Sequence, residues 1–301
     1  MSKLLVSLSG PTAVGKTSCS IRLAEHYNTE IISCDSRQMY REMKTGTAVP
    51  EPHELAKVKH HFIGQLSIHD YYNASMFERD ISDLLDKLFT IHDIVFMTGG
   101  SGMYLDAVLY GIDDIPDPDM QIREKLIQRY ETEGLEPLRF ELKHLDPVCY
   151  ERIDLKNHKR VIRALEVCLS TGKPFSSFHT KKRKTRDFDI LLLGLDMERD
   201  KLYDRIDKRI DKMLADGLED EARALYPHRG LVGLKTIGYT EFFRYFGGEI
   251  SKEEAIHFIR KNTRNYARKQ INWLKRYQNL IPVKPDEHEK IISIIDEYLK
   301  K

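Results

Sequence analysis

Gly10-Pro11-Thr12-Ala13-Val14-Gly15-Lys16-Thr17 is the stretch on which the reading of this chain turns. It fits G-x-x-x-x-G-K-[ST], the pattern of a loop that wraps phosphate in backbone N–H groups. The flanks agree. Lys3-Leu4-Leu5-Val6-Ser7-Leu8-Ser9 is a short apolar run that reads as a buried strand. Residues 18–27 carry Ile21, Leu23, Ala24 and Tyr27 at helix-compatible spacing, with no proline or glycine inside. Gly10 and Gly15 permit backbone dihedrals closed to other residues, so successive N–H groups can turn toward one anion. The helix start adds its partial positive charge. Lys16 can reach terminal phosphate oxygens, and the Thr17 hydroxyl can ligate a magnesium ion. The loop binds a di- or triphosphate; it does not say what becomes of it.

Working outward, the next strand is Glu30-Ile31-Ile32-Ser33-Cys34, and it runs straight into Asp35-Ser36-Arg37-Gln38-Met39-Tyr40. A carboxylate at the C-terminal end of a parallel strand lies on the ligand-binding edge. Three roles are open for Asp35: holding magnesium through water, accepting a proton from a nucleophile, or capping a helix. A third buried strand, Asp93-Ile94-Val95-Phe96-Met97, ends at Thr98-Gly99-Gly100-Ser101-Gly102-Met103-Tyr104, a second glycine loop on the same edge. Ser101 can offer its hydroxyl to a phosphate or a base. No acidic residue ends this strand, which argues against an ordinary ATPase with its metal-binding aspartate there. Asp189-Ile190-Leu191-Leu192-Leu193-Gly194-Leu195 reads as a further core strand.

Between these lies material of another kind. Gly46-Thr47-Ala48-Val49-Pro50 reads as a loop, followed by a helical stretch holding His60 and His61, with no third residue at metal-ligand spacing. Residues 75–89 read as a helix with Phe77, Ile81, Leu84, Leu85 and Leu88 on its apolar face. Asp113-Asp114-Ile115-Pro116-Asp117-Pro118-Asp119 breaks the composition and marks the exit from the core. Helical periodicity follows over 120–133, 135–145 and 156–167, the last with Lys156, Lys159, Arg160 and Arg163 near its start. Lys181-Lys182-Arg183-Lys184-Thr185-Arg186 is a basic run, which by itself is most simply a solvated face. From residue 200 a helix turns Leu202, Ile206, Ile210 and Met213 inward and places Arg205 and Arg209 on its other face. The helix over 252–277 lines up Arg260, Arg264 and Arg268 and has no acidic residue after Glu254. Tyr266 and Trp273 on it read as packing residues rather than base-stacking ones.

With 301 residues the chain can bury a substantial core. Lys and Arg number 48 against 47 Asp and Glu, a formal net charge of +1, so any nucleic-acid contact must come from local clustering. The N-terminus lacks the apolar stretch of a secretory signal, and no window approaches a membrane span. The four cysteines form no metal-ligand spacing and read as reduced core thiols. A cytoplasmic protein with no membrane partner is expected.

Six stretches together resemble the bacterial tRNA isopentenyltransferase (dimethylallyltransferase) family. They are residues 10–17; Asp35-Ser36-Arg37-Gln38-Met39-Tyr40; residues 98–104; Arg160-x-x-Arg163-Ala164-Leu165-Glu166-Val167; Thr236-Ile237-Gly238-Tyr239; and Thr263-Arg264-Asn265-Tyr266-Ala267-Arg268-Lys269-Gln270-Ile271-Asn272-Trp273. The resemblance implies an α/β fold: a P-loop NTPase-like core with a parallel sheet and an inserted helical domain. The core would occupy 1–112 and 187–301, and a tRNA-binding insertion 113–186. It implies transfer of the dimethylallyl group from dimethylallyl diphosphate to N6 of an adenosine beside the anticodon, with Mg2+ as cofactor and a tRNA anticodon stem-loop as partner, by a monomer. Residues 10–17 would hold the diphosphate, Thr17 the metal, Asp35 would take the N6 proton, and Arg209 would support the phosphates. Asp35, Ser36, Arg37, Gln38, Ser101, Arg123, His158, Lys159, Arg160, Val161 and Ile162 fall in tRNA-contact segments. Ser101 stands where threonine is usual, Val49 where lysine is common, and His158 where aspartate is frequent; no C-terminal zinc finger is present. A nucleotide or small-molecule kinase, an adenylate isopentenyltransferase and a non-catalytic RNA-binding switch are the rival readings. The first leaves the basic helices unexplained and the last leaves Asp35 unexplained.

Overall fold

The computed structural model describes residues 3–117, 119–179 and 184–300. They divide into two compact units, one of residues 3–110 with 185–300 and one from 111 to 184. The first unit begins with β1 (Leu4–Ser9), α1 (Lys16–His26), β2 (Ile31–Cys34), α2 (Pro52–Leu55), β3 (His60–His61), α3 (Ala74–Leu88), β4 (Ile94–Gly99) and α4 (Gly102–Tyr110). The second unit holds α5 (Met120–Glu133), α6 (Glu136–Leu145), α7 (Pro147–Arg152) and α8 (His158–Thr171). The first then resumes with β5 (Asp189–Leu195), α9 (Arg199–Ala215), α10 (Leu218–Leu225), α11 (Tyr239–Phe246), α12 (Lys252–Leu274), β6 (Ile281–Val283) and α13 (His288–Leu299).

The sheet is parallel throughout, in the order β3-β2-β4-β1-β5-β6. Every residue of β1 is buried, because a central parallel strand with both faces covered has no solvent side. Its apolar run is therefore unbroken rather than alternating. α3 shows the complementary pattern: Phe77, Ile81 and Leu85 are at most 1% exposed, each burial contributing about 1.5–3 kcal/mol, and Asn73 caps its start by accepting the Ser75 and Met76 N–H groups.

Register decides where the loops fall. Ser9 lies opposite Gly99, and Gly99 opposite Cys34, so β1, β2 and β4 end in line. The next residues are Gly10, Asp35 and Gly100. Gly99 has no alternative there, since a Cβ would stand 2.1 Å from the Cys34 carbonyl oxygen.

The second unit has its own core, built on Leu126, Leu138, Leu142, Val161, Leu165 and Cys168. No helix among the described residues is long and apolar enough to cross a membrane. One segment departs from the sequence reading. His60 and His61 form a two-residue edge strand, not a helix, because β2 offers them a ladder; a strand so short carries no periodicity. His61 Nε2 pairs with Glu30 at 2.5 Å and His60 Nδ1 contacts the Val58 carbonyl at 2.8 Å.

Candidate active site

The phosphate loop has left-handed backbone at Ala13 (φ 66°) and Gly15 (φ 109°), the second being the N-cap of α1 with no side-chain cap. The first N–H groups of α1 therefore have no capping side chain, which is the anion-binding condition of a helix N-terminus. Lys16 Nζ folds back to the carbonyls of Gly10 and Pro11, at 2.9 Å each. Burial lowers its pKa to about 8; Arg209 pushes it the same way and Asp35 opposes them. Arg209 is itself lowered by burial, with Asp35 opposing and Arg205 adding to the fall. Two cations held at a cost in one place describe a site shaped for a polyanion.

Asp35 follows β2 and faces the same space. Its Oδ1 accepts the N–H groups of Arg37 (2.9 Å) and Gln38 (3.4 Å), so it braces a turn over residues 36–39 instead of capping a helix, with one oxygen of a group that also lines the cavity. Ser101, after β4, accepts the Ser36 N–H at 3.0 Å and donates toward the Ser36 hydroxyl at 3.3 Å, tying the glycine loop to the Asp35 turn. Gln38 is committed internally: Oε1 accepts from Ser33, while Nε2 donates to the carbonyls of Thr47 and Ala48.

The phosphate loop, the Asp35 turn and α9 surround a cavity of about 860 Å3, which the Ser101 side chain does not line. Thr12, Ala13, Gly15, Lys16 and Thr17 line one side, Asp35, Ser36, Arg37 and Gln38 another, and Arg205 and Arg209 a third. Ile206, Ile210, Met213, Leu218, Ile237 and Ile259 add an apolar part. A pocket with convergent charges and an apolar sector is the usual form of a small-molecule site.

Three contributors were not read from the sequence as site residues. Tyr266 lines the cavity and is 39% exposed; its phenol end lies by the Ser101 hydroxyl, where desolvation followed by the Asp35 carboxylate holds it protonated above its ordinary range. Gln270 touches both glycine loops. Glu221 accepts the backbone N–H groups of Lys44, Thr45 and Gly46 at 2.9 Å each, and the fully buried Tyr239 hydroxyl at 2.7 Å, so it fixes the wall leading to Thr47 and Ala48. The Tyr239 ring occupies the place of a Cβ on Gly46, which explains a tyrosine after Thr236-Ile237-Gly238.

Several expected nucleic-acid contacts stand differently. Val161 and Ile162 are 0% and 4% exposed in the core of the second unit, so their side chains face inward and cannot meet a partner. Lys159 and Arg160 are exposed, and His158 stacks on Tyr130 with ring centroids 4.6 Å apart. Arg123 and Arg163 converge on the buried Glu166 at 3.4 and 2.5 Å, and Arg163 also donates to the Pro116 carbonyl. Arg260 pairs with Asp207 and Asp211, and Arg264 with Asp207, so much of the basic face of α12 is spent on α9. In the basic run, residues 181–183 lie outside the described residues, Lys184 pairs with Asp114, and Arg186 binds Glu78 and the carbonyls of Ala107 and Val108. Trp273 packs as expected, its ring filling the place of a Cβ on Gly102.

Comparison with known proteins identifies the family. The family model described as IPP transferase matches residues 38–277. A tRNA dimethylallyltransferase 1 of Bacteroides fragilis is 49% identical over 298 residues, 99% of each chain. Another from Porphyromonas gingivalis is 51% identical over 272 residues, covering 90% of this chain and 91% of the relative. The crystal structure of a full-length tRNA isopentenylpyrophosphate transferase from Bacillus halodurans superposes with a TM-score of 0.70 at 35% identity, covering 100% of this chain and 96% of that one. A eukaryotic dimethylallyltransferase acting on tRNA shares the fold, with a TM-score of 0.84 at 24% identity over 99% of this chain and 80% of its own. With a P-loop NTPase-like core and likeness over nearly its whole length, the chain belongs to the IPP transferase family.

Proposed function

We propose that this protein is a tRNA dimethylallyltransferase, moving the dimethylallyl group from its diphosphate to N6 of the adenosine beside the anticodon. The observation that carries this reading is one cavity lined by a phosphate loop, a carboxylate, a second arginine-bearing wall and an apolar sector. The phosphate loop, Lys16 and Arg209 bind the diphosphate and stabilise the charge it gains as the carbon–oxygen bond breaks. The apolar residues of α9, with Leu218, Ile237 and Ile259, shelter the prenyl chain from water. Asp35 accepts the N6 proton as the new carbon–nitrogen bond forms, because an exocyclic adenine amine is too weak a nucleophile to keep it. Ser101 and Tyr266 border the space where the base stands.

Magnesium fits the donor set. The Thr17 hydroxyl, an oxygen donor lining the same cavity as the phosphate loop, would hold the ion together with diphosphate oxygens and water. Bound there, the ion supplies charge neutralisation for the diphosphate. The adenosine must leave its stack to enter, at a cost of roughly a few kcal/mol. Contacts between the RNA backbone and exposed cations such as Lys159 and Arg160 offset that cost.

The test is acceptor choice. An anticodon stem-loop and free AMP are offered at equal concentration with labelled dimethylallyl diphosphate. Label in the stem-loop alone supports the reading. Label in AMP alone makes the protein an adenylate isopentenyltransferase, and phosphate released from ATP with no prenyl product makes it a kinase-like enzyme.

A further inference from the structure

Beyond Ser9 and Gly99 the β1–β4 ladder ends, and the two loops that follow must be held by something else. Gln270, on α12 and only 7% exposed, takes that place. Its Oε1 accepts the Thr12 N–H of the phosphate loop at 2.8 Å, and its Nε2 donates to the Gly100 carbonyl of the glycine loop at 3.0 Å. The partners fix which end of the amide is which, since an N–H can only donate and a carbonyl can only accept. The amide thus acts as an extra peptide unit laid between the strand ends.

The fit is close on every side. A Cβ on Gly100 would stand 2.1 Å from Gln270 Nε2, and one on Gly102 would stand 2.5 Å from the Trp273 ring, one turn further along α12. The space left between these groups is about 10 Å3, at the lower limit for a single water. One turn back, Tyr266 lies by Ser101. A single helix face therefore touches the loop that holds the diphosphate and the loop that carries Ser101.

We propose that Gln270 is a positioning residue that sets the spacing of these two loops, and through it the distance between the prenyl carbon and the adenine N6. This rests on the function proposed above. The consequence is kinetic, because a displacement of about 1 Å between reacting groups can cost on the order of 10²-fold in rate without weakening either substrate's binding.

The test compares wild type with Gln270→Glu, Gln270→Met and Gln270→Asn in the full chain. Glu keeps the acceptor for Thr12 but sets a second acceptor against the Gly100 carbonyl. Met removes both bonds at similar volume, and Asn keeps the chemistry but is one carbon too short to span. Single-turnover transfer to an anticodon stem-loop is measured at saturating dimethylallyl diphosphate, beside dissociation constants for inorganic diphosphate and for the stem-loop. The expected result is a rate lower by roughly 10–100-fold in each variant that retains the wild-type melting temperature, with both dissociation constants within about threefold. The Glu variant should also recover relative to wild type as pH falls and its new carboxyl gains a proton to donate, whereas the Met variant should not. If Met unfolds the protein, the Asn variant decides by the same split. Wild-type saturated rates in the variants, or losses explained wholly by weaker diphosphate binding, would overturn the inference. A wild-type protein that modifies no stem-loop would overturn the functional reading and this inference with it; an active wild type with unaffected variants would overturn this inference alone.

Discussion

Replacing Asp35 with Asn separates its two structural duties. The turn uses Oδ1 as an acceptor for the Arg37 and Gln38 N–H groups, and an Asn carbonyl oxygen can do the same. Folding should therefore be nearly untouched, whereas Asp35→Ala loses the turn's hydrogen bonds and about 1 kcal/mol. What Asn cannot do is take a proton. Losing a positioned general base costs roughly 10²–10⁴ in rate, or about 2.7–5.4 kcal/mol of barrier. The carboxylate also favours the charged forms of Lys16 and Arg209, so its removal pushes Lys16 further below about 8. Bound diphosphate itself favours protonated Lys16, so diphosphate binding should stay within about threefold of wild type. The assay is single-turnover prenyl transfer to a stem-loop at saturating donor and magnesium, with diphosphate binding measured separately. An Asn variant within a few-fold of the wild-type rate would refute the base assignment and leave Asp35 as a brace of the turn over residues 36–39. A rate restored by excess magnesium would move Asp35 from base to metal support.

Inorganic diphosphate should bind less tightly as pH rises through about 8, because the free protein then gives up the Lys16 proton that the bound state retains. Calorimetry in two buffers should show more proton uptake on binding above that pH in wild type than in Lys16→Ala. The same lowered pKa has a stability sign: charged Lys16 costs the folded state at neutral pH, so this one group contributes a gain as pH rises from about 8 toward 10.5, read from denaturant midpoints with and without Lys16→Ala. Thr17→Ala should raise the magnesium concentration needed for half-maximal transfer while leaving stem-loop affinity unchanged, as a metal titration would register. Stem-loop binding should weaken steeply with salt, and Lys159→Ala with Arg160→Ala should each flatten the log–log slope by somewhat under one unit. Arg163→Ala should instead lower the melting temperature, since it strips a partner from the buried Glu166.

The contrast between those arginines marks what could be read from residues alone. The phosphate loop, Asp35 and the second glycine loop were legible because each combines a local glycine or carboxylate signal with an apolar run that must be a strand. Their convergence then follows from the parallel register. Arg163, Arg260 and Arg264 looked like a nucleic-acid face because a helix read by itself shows its charges and not their partners. Pro116 and Asp207, each about fifty residues away in sequence, become visible only when the chain is folded. Gln270 and Tyr266 were hidden for a related reason. On a basic helix a glutamine and a tyrosine four residues apart look like ordinary surface and packing residues. Their one local signal is that they stand three and seven residues before Trp273, on one face of the helix. Glu221 gave no local signal at all, since its three backbone partners come from a loop about 175 residues earlier.

Incubating the protein with dimethylallyl diphosphate, magnesium and an anticodon stem-loop bearing an unmodified adenosine beside the anticodon, then digesting the RNA and analysing its nucleosides by mass spectrometry, tests the central claim most directly. This one adenosine should gain one five-carbon prenyl unit on its N6, in step with diphosphate release, and Asp35→Asn should nearly abolish the product. An unmodified adenosine, or a prenyl group found on another nucleoside or on free AMP in preference to the RNA, would contradict it.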